Sequence, residues 1–141
     1  MKTYVDTSVL LRIVLQEPDP LPEWPQIQIG LTSALLRVEC CRALDRLLRD
    51  GKIADEQYDA RLTEIDEMLA QMLVLPITPS VLRIASQRFG VRVDTLDAVH
   101  LATAQEYRAS HLTEDAPIFA THDATLATAA RHIGFDVIGS N

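Results

Sequence analysis

The sequence predicts a single α/β domain, residues 1–141, in which helices flank a mainly parallel central sheet. Short apolar segments alternate along the chain with longer segments whose apolar residues repeat at helical spacing. Strands that alternate with helices are joined by right-handed crossovers, which leave the strands parallel. The hydrophobic content of 48% is enough for one core, and no internal repeat, low-complexity tract or second domain is visible.

The individual elements follow from this pattern and from local breaks in it. Strands are predicted at residues 3–5, 26–31, 117–121 and 136–138, while residues 73–77 read either as a strand or as the exit of a helix. Helices are predicted at residues 8–14, 33–50, 55–72, 79 to about 90, 94 to about 108, and 124–132. Four prolines between residues 18 and 25 end the first helix and predict a stiff loop.

Polar residues and glycines mark the ends of several helices. Ser8, Asp55 and Asp94 are predicted to cap helix starts, because their side-chain oxygens can accept hydrogen bonds from free backbone N–H groups. Pro79 occupies a first helical position, where its missing N–H costs nothing. Gly51 is predicted to end the second helix.

The two long helices at 33–50 and 55–72 are predicted to form a helical hairpin arm, because only a short turn separates them. An apolar arc on the two helices contains Leu36, Leu44, Leu47, Leu62, Ile65 and Leu69. Such a stripe usually belongs to the core. The alternative is that the arm leaves a groove that an amphipathic helix of a partner protein could fill.

Composition narrows the class of protein. The net charge of −7 argues against a protein that coats nucleic acid in general, for which a basic surface is expected. Cys40 and Cys41 are adjacent, so they offer neither a disulfide framework nor zinc-binding spacing, and a reducing cytoplasm is the expected location. No apolar run is long enough to span a membrane, and the start of the chain lacks the pattern of a secretory signal.

Four acidic residues lie where a strand ends or a helix begins against apolar sequence, namely Asp6, Glu39, Asp97 and Asp123. If the fold brings these carboxylates together, they repel by roughly 4 kcal/mol per pair at about 4 Å and an effective dielectric near 20. A hard divalent cation with oxygen ligands is the usual means of holding such a group. The pattern therefore indicates metal-dependent phosphodiester chemistry.

Each acid also has a simpler interpretation. Asp6 and Asp123 could be helix caps, although Ser8 and Thr121 are available for the same task. Glu39 could be a surface residue that pairs with Arg42 or Arg46 on its own helix. Asp97 is harder to explain in this way, because Asp94 already supplies a cap and the surrounding helix is apolar.

The same segments carry a family resemblance. The sequences Tyr-Val-Asp-Thr-Ser at residues 4–8, Leu-Asp-Ala-Val-His-Leu-Ala-Thr-Ala at 96–104 and Phe-Ala-Thr-His-Asp-Ala-Thr-Leu at 119–126 resemble the PIN domain. The resemblance includes the Val-Glu pair at residues 38–39, covers essentially the whole chain and is strongest to the VapC-type toxins of toxin–antitoxin pairs. It implies a PIN-like fold and a ribonuclease that cleaves single-stranded regions of RNA with Mg²⁺ or Mn²⁺.

The resemblance also implies roles and partners. Asp6, Glu39, Asp97 and Asp123 would be both the catalytic residues and the metal ligands, supported by the hydroxyl groups of Thr7, Ser8 and Thr121. His100 and His122 adjoin the motifs, but histidines at such positions are more often structural and are left outside the catalytic set. The implied partners are RNA, a cognate antitoxin protein and a second copy of the chain in a homodimer.

Two other function classes remain open on the sequence alone. A domain of this fold could hold metal poorly and act mainly as a binding module. A receiver-like or phosphatase-like domain could use Asp6 as a phosphoacceptor. The second class is disfavoured because Asp6 has no adjacent acid and no lysine follows the later strands.

Overall fold

The computed structural model describes residues 1–141. Its elements in chain order are β1 (Lys2–Val5), α1 (Thr7–Val14), a 3-10 turn (Trp24–Gln26), β2 (Ile29–Ser33), α2 (Leu35–Arg49), α3 (Asp55–Ala70), β3 (Leu73–Leu75), α4 (Pro79–Ala85), α5 (Thr95–Ser110), β4 (Ile118–Ala120), α6 (Ala124–His132) and β5 (Val137–Ile138). None of these helices is long and apolar enough to cross a membrane.

The five strands form one sheet in the order β3-β2-β1-β4-β5, and every neighbouring pair is parallel. This confirms the predicted fold class. The chain passes from β1 to β2 on one side and later places β4 on the other side of β1, so the order switches between β1 and β4. Ligands of parallel sheets bind beyond the carboxyl ends of the strands at such a switch.

Helices cover both faces of the sheet. Tyr4 of β1 packs in a core cluster with Leu101 of α5 and Leu126 of α6. Its neighbour Val5 points to the opposite face, where it packs against Val9 of α1. The alternation of side chains along a strand therefore divides the core into two layers.

The predicted helical hairpin is formed by α2 and α3, but its apolar arc belongs to the core. Leu36, Leu44 and Ile65 are fully buried and share one cluster with Leu10 and Val14 of α1. Because α1 already covers these three residues, the buried part of the arc does not form a groove for a partner helix, whereas Leu47 lies outside this cluster.

The second strand lies further along the chain than predicted. It begins at Ile29 instead of residue 26 and extends to Ser33. The segment before it forms the 3-10 turn, and the register pairs Ile29 with Lys2 at the start of β1. Tertiary pairing with β1 therefore sets the boundary. Residues 73–77, for which the sequence allowed either a strand or the exit of a helix, contain the strand β3. This strand pairs with β2 at the edge of the sheet.

Helix α4 is shorter than predicted and ends at Ala85 instead of near residue 90. The hydroxyl of Ser86 donates to the carbonyl of Leu82 over 2.7 Å at the point where the helix stops. Phe89, Val91 and Val93 then pack against the core cluster of Tyr4. Packing of this irregular segment replaces the last turn of the predicted helix.

Two of the three predicted caps are wrong in their residue, and the third is at the predicted residue but lacks the expected side-chain hydrogen bond. Helix α1 is capped by Asp6 and not by Ser8. Ala54 precedes α3, and its backbone N–H donates to the side chain of Gln57, so Asp55 is not the cap. Asp94 has the backbone position of a cap on α5, but its side chain accepts no capping hydrogen bond.

Candidate active site

The four predicted site acids come from different elements around the ends of β1 and β4. Asp6 directly follows β1, and its backbone N–H donates to the carbonyl of Ala120 at the end of β4 over 3.0 Å. Glu39 lies on α2, Asp97 in the first turn of α5, and Asp123 at the cap of α6. The switch in strand order thus gathers the starts of three helices around one point.

Asp6 is buried and held by hydroxyl groups. Its Oδ2 accepts hydrogen bonds from Ser8 Oγ at 2.6 Å and from Thr121 Oγ1 at 2.9 Å. The backbone N–H of Ser8 also donates to this oxygen at 3.4 Å, which is the cap of α1. Asp6 is therefore both a helix cap and a member of the acid group, with Oδ1 left free of hydrogen bonds.

Glu39 points into the acid group and does not pair with an arginine of its own helix. Its Oε1 accepts hydrogen bonds from Thr7 Oγ1 at 2.8 Å and from His100 Nε2 at 2.5 Å. Burial alone would raise the pKa of Glu39, but the hydrogen bond and charge of His100, with the hydrogen bond of Thr7, outweigh burial and lower it. Arg42 instead pairs with Asp45. Glu39 therefore stays ionised at the site.

Asp97 is half-buried without a donor to stabilise its charge. Burial is the largest cause that raises its pKa to about 6, and the negative charges of Asp6 and Asp123 raise it further. The pKa rises because no hydrogen bond compensates for the lost water and the neighbouring acids repel the charge, while the charge of His100 only partly opposes the rise. Asp97 therefore experiences the repulsion that the sequence predicted for this group.

Asp123 lies at the exposed edge of the acid group. Its Oδ1 accepts the backbone N–H of Leu126 at 2.9 Å and caps α6. Its own backbone N–H donates to Thr121 Oγ1 at 3.0 Å. Since Thr121 also donates to Asp6, one hydroxyl group links Asp6 and Asp123. The three predicted hydroxyl residues, Thr7, Ser8 and Thr121, all contact a site acid.

His100 is the site residue that sequence reasoning left out. Its ring is fully buried, with Nδ1 at 2.8 Å from the hydroxyl of Tyr4 and Nε2 at 3.6 Å from Asp6 Oδ1. Burial would lower its pKa, but the hydrogen bond to Glu39 and the charge of Asp6 outweigh burial and raise it. A signal was present, because His100 follows Asp97 by three residues and so shares its helix face.

The second histidine near the motifs, His122, is held by the backbone. Its Nδ1 lies 2.8 Å from the carbonyl oxygen of Gly139, and its backbone N–H donates to Ser8 Oγ at 3.0 Å. Gly139 has φ +90, and an added Cβ would lie 2.7 Å from the carbonyl oxygen of Thr121. This close approach of the last strand fixes His122 beside the site.

The donor chemistry of the acid group fits a hard divalent cation. As the side chains lie, no three acidic, histidine or cysteine groups are placed to hold a metal ion. Each acid nevertheless keeps oxygens that accept no hydrogen bond, namely Asp6 Oδ1, Glu39 Oε2, Asp123 Oδ2 and both oxygens of Asp97. Oxygens of this kind are the ligands that Mg²⁺ and Mn²⁺ prefer. Holding an ion would require these side chains to move closer together.

We predict that Asp97→Asn stabilises the metal-free protein at neutral pH. In the folded protein the pKa of Asp97 rises from 3.8 to about 6, so between these pH values the folded state binds more protons than the unfolded state. Stability that Asp97 contributes at low pH is therefore lost as the pH rises through about 6. Because Asp97 is partly exposed, solvent screens the repulsion and the rise in Tm should be a few degrees.

The measurement is Tm of parent and variant across this pH range with a chelator present. The difference between them should be largest at neutral pH and should shrink as the pH falls below the pKa of Asp97. Asp59→Asn, at an exposed position on α3, is the matched control and should leave Tm unchanged. An Asp97→Asn protein that is less stable than the parent at neutral pH would contradict the assignment of repulsion.

Comparisons with known proteins identify the family and agree with the fold. The family model for the PIN domain matches residues 3–121. A relative named Ribonuclease VapC47 from Mycobacterium tuberculosis (strain CDC 1551 / Oshkosh) is 30% identical over 139 residues, covering 94% of this chain and 92% of the relative. Among solved structures, VapBC2 from Rickettsia felis bound to a promoter DNA fragment has a TM-score of 0.67 at 9% identity and 97% coverage of both chains. A toxin–antitoxin complex from Klebsiella pneumoniae has a TM-score of 0.60 at 14% identity, covering 96% of this chain and 95% of the other. The chain belongs to the PIN domain family.

Proposed function

We propose that this chain is a metal-dependent endoribonuclease that acts as the toxin of a toxin–antitoxin pair. The observation that carries the proposal is the gathering of Asp6, Glu39 and Asp97 beyond the carboxyl ends of β1 and β4, where Asp97 experiences the charge of its neighbours. A relative that matches most of the chain bears the name ribonuclease. The acid group supplies the oxygen ligands that this chemistry requires.

The proposed cofactor is Mg²⁺ or Mn²⁺, held by Asp6, Glu39, Asp97 and Asp123. When bound, such an ion supplies an activated water and neutralises charge on phosphate oxygens. Thr7, Ser8 and Thr121 orient two of the acids through the hydrogen bonds described above. Asp97 holds a proton below a pH of about 6 and must release it before it can bind a cation, so cation binding weakens in acid.

The proposal predicts that Asp97→Asn removes RNA cleavage while the fold remains intact. Loss of one charged ligand should cost at least about 3 kcal/mol of transition-state stabilisation, or about 100-fold in rate. The measurement is cleavage of total cellular RNA in Mg²⁺ or Mn²⁺, with Asp59→Asn as the control that retains activity.

Two results would contradict the assignment. One is full cleavage by pure Asp97→Asn protein, and the other is full cleavage by the parent in excess chelator. A parent that never cleaves RNA, yet binds a partner protein, would favour the alternative that this domain is mainly a binding module.

We also propose that a cognate antitoxin is the partner and that its helix lies between α1 and α2. A groove of about 280 Å³ runs there, lined by Ser8, Leu11, Arg12, Leu15, Glu17, Ala43, Arg46 and Leu47. Its apolar walls suit one face of an amphipathic helix. Ser8 lines the groove and also donates to Asp6, so a helix in the groove ends beside the acids. The net charge of −7 favours a basic guest.

The groove proposal predicts that Ala43→Leu weakens the antitoxin complex at least tenfold and leaves RNA cleavage unchanged, because the larger side chain fills the groove away from the acids. The candidate partners are products of small genes adjacent to the gene that encodes this chain, and affinity is measured by titration calorimetry. Ala109→Leu, at an exposed position on α5, is the control. Equal affinity of the parent and Ala43→Leu proteins would exclude this groove.

A homodimer is the third proposed partnership. Large apolar residues are exposed on β3, on α4 and in the connection between them near the sheet edge, namely Leu73, Val74, Ile77 and Leu82. Because adjacent exposed apolar residues mark interaction surfaces, this edge is the proposed contact between copies. Val74→Lys should convert a dimer to a monomer in sedimentation experiments, while Val38→Lys, at an exposed site on α2, should not. A parent that is monomeric at high concentration would contradict the proposal.

A further inference from the structure

His100 is a fully buried titratable side chain beside the acids, and it connects four elements of the fold. Its side chain is fully buried on α5. Nδ1 contacts the hydroxyl of Tyr4 on β1 at 2.8 Å, and Nε2 contacts Glu39 Oε1 on α2 at 2.5 Å. Thr7 on α1 lies 3.3 Å from the same nitrogen. Of these partners, Tyr4 and Thr7 are buried and only Glu39 is partly exposed.

The direction of the hydrogen bonds follows from the groups involved. An ionised carboxylate only accepts hydrogen bonds, so Nε2 carries the proton shared with Glu39. Nδ1 faces a tyrosine hydroxyl, which can either donate or accept. Tyr4 is therefore a partner for His100 in either protonation state, and it fixes the plane of the ring in both.

Tyr4 is itself held in place by aromatic packing. Its ring stacks on Phe119 of β4 with centroids 5.0 Å apart, and the edge contact with His100 has centroids 5.9 Å apart. Both Tyr4 and Phe119 are fully buried in the core cluster. The orientation of His100 is thus set by residues packed in the interior.

The fixed ring of His100 restricts the conformation of Glu39, whose side chain remains 20% exposed. His100 and Thr7 occupy Oε1 and leave Oε2 without a hydrogen bond. A long side chain on a helix surface has many rotamers, and holding one of them costs conformational entropy. The two hydrogen bonds select the rotamer in which one oxygen is occupied and the other is free for a ligand.

We propose that His100 is a positioning residue that Tyr4 locks in place, and that it holds Glu39 with one carboxylate oxygen directed toward a cation bound by the site. The inference rests on the proposed metal site and adds the residues that shape it. Groups that orient metal ligands in this way contribute about 10–100-fold to metal affinity. In this role His100 acts through Glu39.

Two substitutions of His100 separate positioning from packing. In His100→Gln the amide nitrogen reaches the place of Nε2 and can still donate to Glu39. In His100→Asn the shorter amide reaches only the place of Nδ1 and loses Glu39. Both changes disturb the same buried volume, so a structural effect alone would alter the stability of both and would not separate their affinities for metal.

The experiment measures Mn²⁺ affinity by titration calorimetry, and Tm and RNA cleavage in parallel. His100→Asn should weaken Mn²⁺ binding by about 10–100-fold, whereas His100→Gln should stay close to the parent. Tyr4→Phe should weaken binding to a smaller extent. In the His100→Asn background, Tyr4→Phe should have no further effect on affinity, because Tyr4 acts only through His100.

The possible outcomes distinguish the positioning role of His100 from the ribonuclease proposal. Parental Mn²⁺ affinity in His100→Asn, or an equal loss in His100→Gln, would overturn the positioning role. If His100→Asn does not fold, parental affinity in Tyr4→Phe would overturn it instead. A parent that binds Mn²⁺ without cleaving RNA would remove the ribonuclease proposal and leave the positioning role standing. A parent that binds no Mn²⁺ would overturn both.

Discussion

Repulsion between carboxylates is the constraint on which the rest of this site depends. The acids converge at one end of the sheet, where burial first and the charges of Asp6 and Asp123 second raise the pKa of Asp97 to about 6. The hydrogen bonds that compensate for burial and repulsion are unevenly distributed. Hydroxyl groups donate to Asp6, and a hydroxyl and an imidazole donate to Glu39, but Asp97 accepts no hydrogen bond and only the charge of His100 partly offsets its raised pKa. The unbalanced charge that remains favours a cation, because only an added positive charge can stabilise all of the acids at once.

The parallel sheet is what makes this arrangement possible. Because β4 returns to the side of β1 away from β2, the segments that follow β1 and β4 leave the sheet next to each other. Asp6 and Asp123 then cap α1 and α6 in the same place where they face the other acids. Each of these residues can therefore be a helix cap and a member of the acid group at the same time. Capping fixes one oxygen of each carboxylate and leaves the other free.

The sequence predicted the fold class and the grouping of the acids because both depend on local patterns. Strand–helix alternation requires a parallel sheet, and an acid after a strand must lie at its carboxyl end. It did not predict His100, whose partners Tyr4 and Glu39 lie 96 and 61 residues away along the chain. Nor did it predict the end of α4 or the start of β2, where packing and strand register override local preference.

The division of each carboxylate into an occupied and a free oxygen explains how a site can be ordered without being closed. Asp6 and Glu39 are fixed through one oxygen by donors in the core, so their free oxygens keep a defined direction. Asp97 has no such donor, and Asp123 lies at the exposed edge. If the proposed cation binds, the side chains that would have to move are Asp97 and Asp123, while Asp6 and Glu39 would form the fixed side. Two preorganised carboxylates would lower the ordering cost of binding, and the two less constrained ones would leave room for a phosphate group.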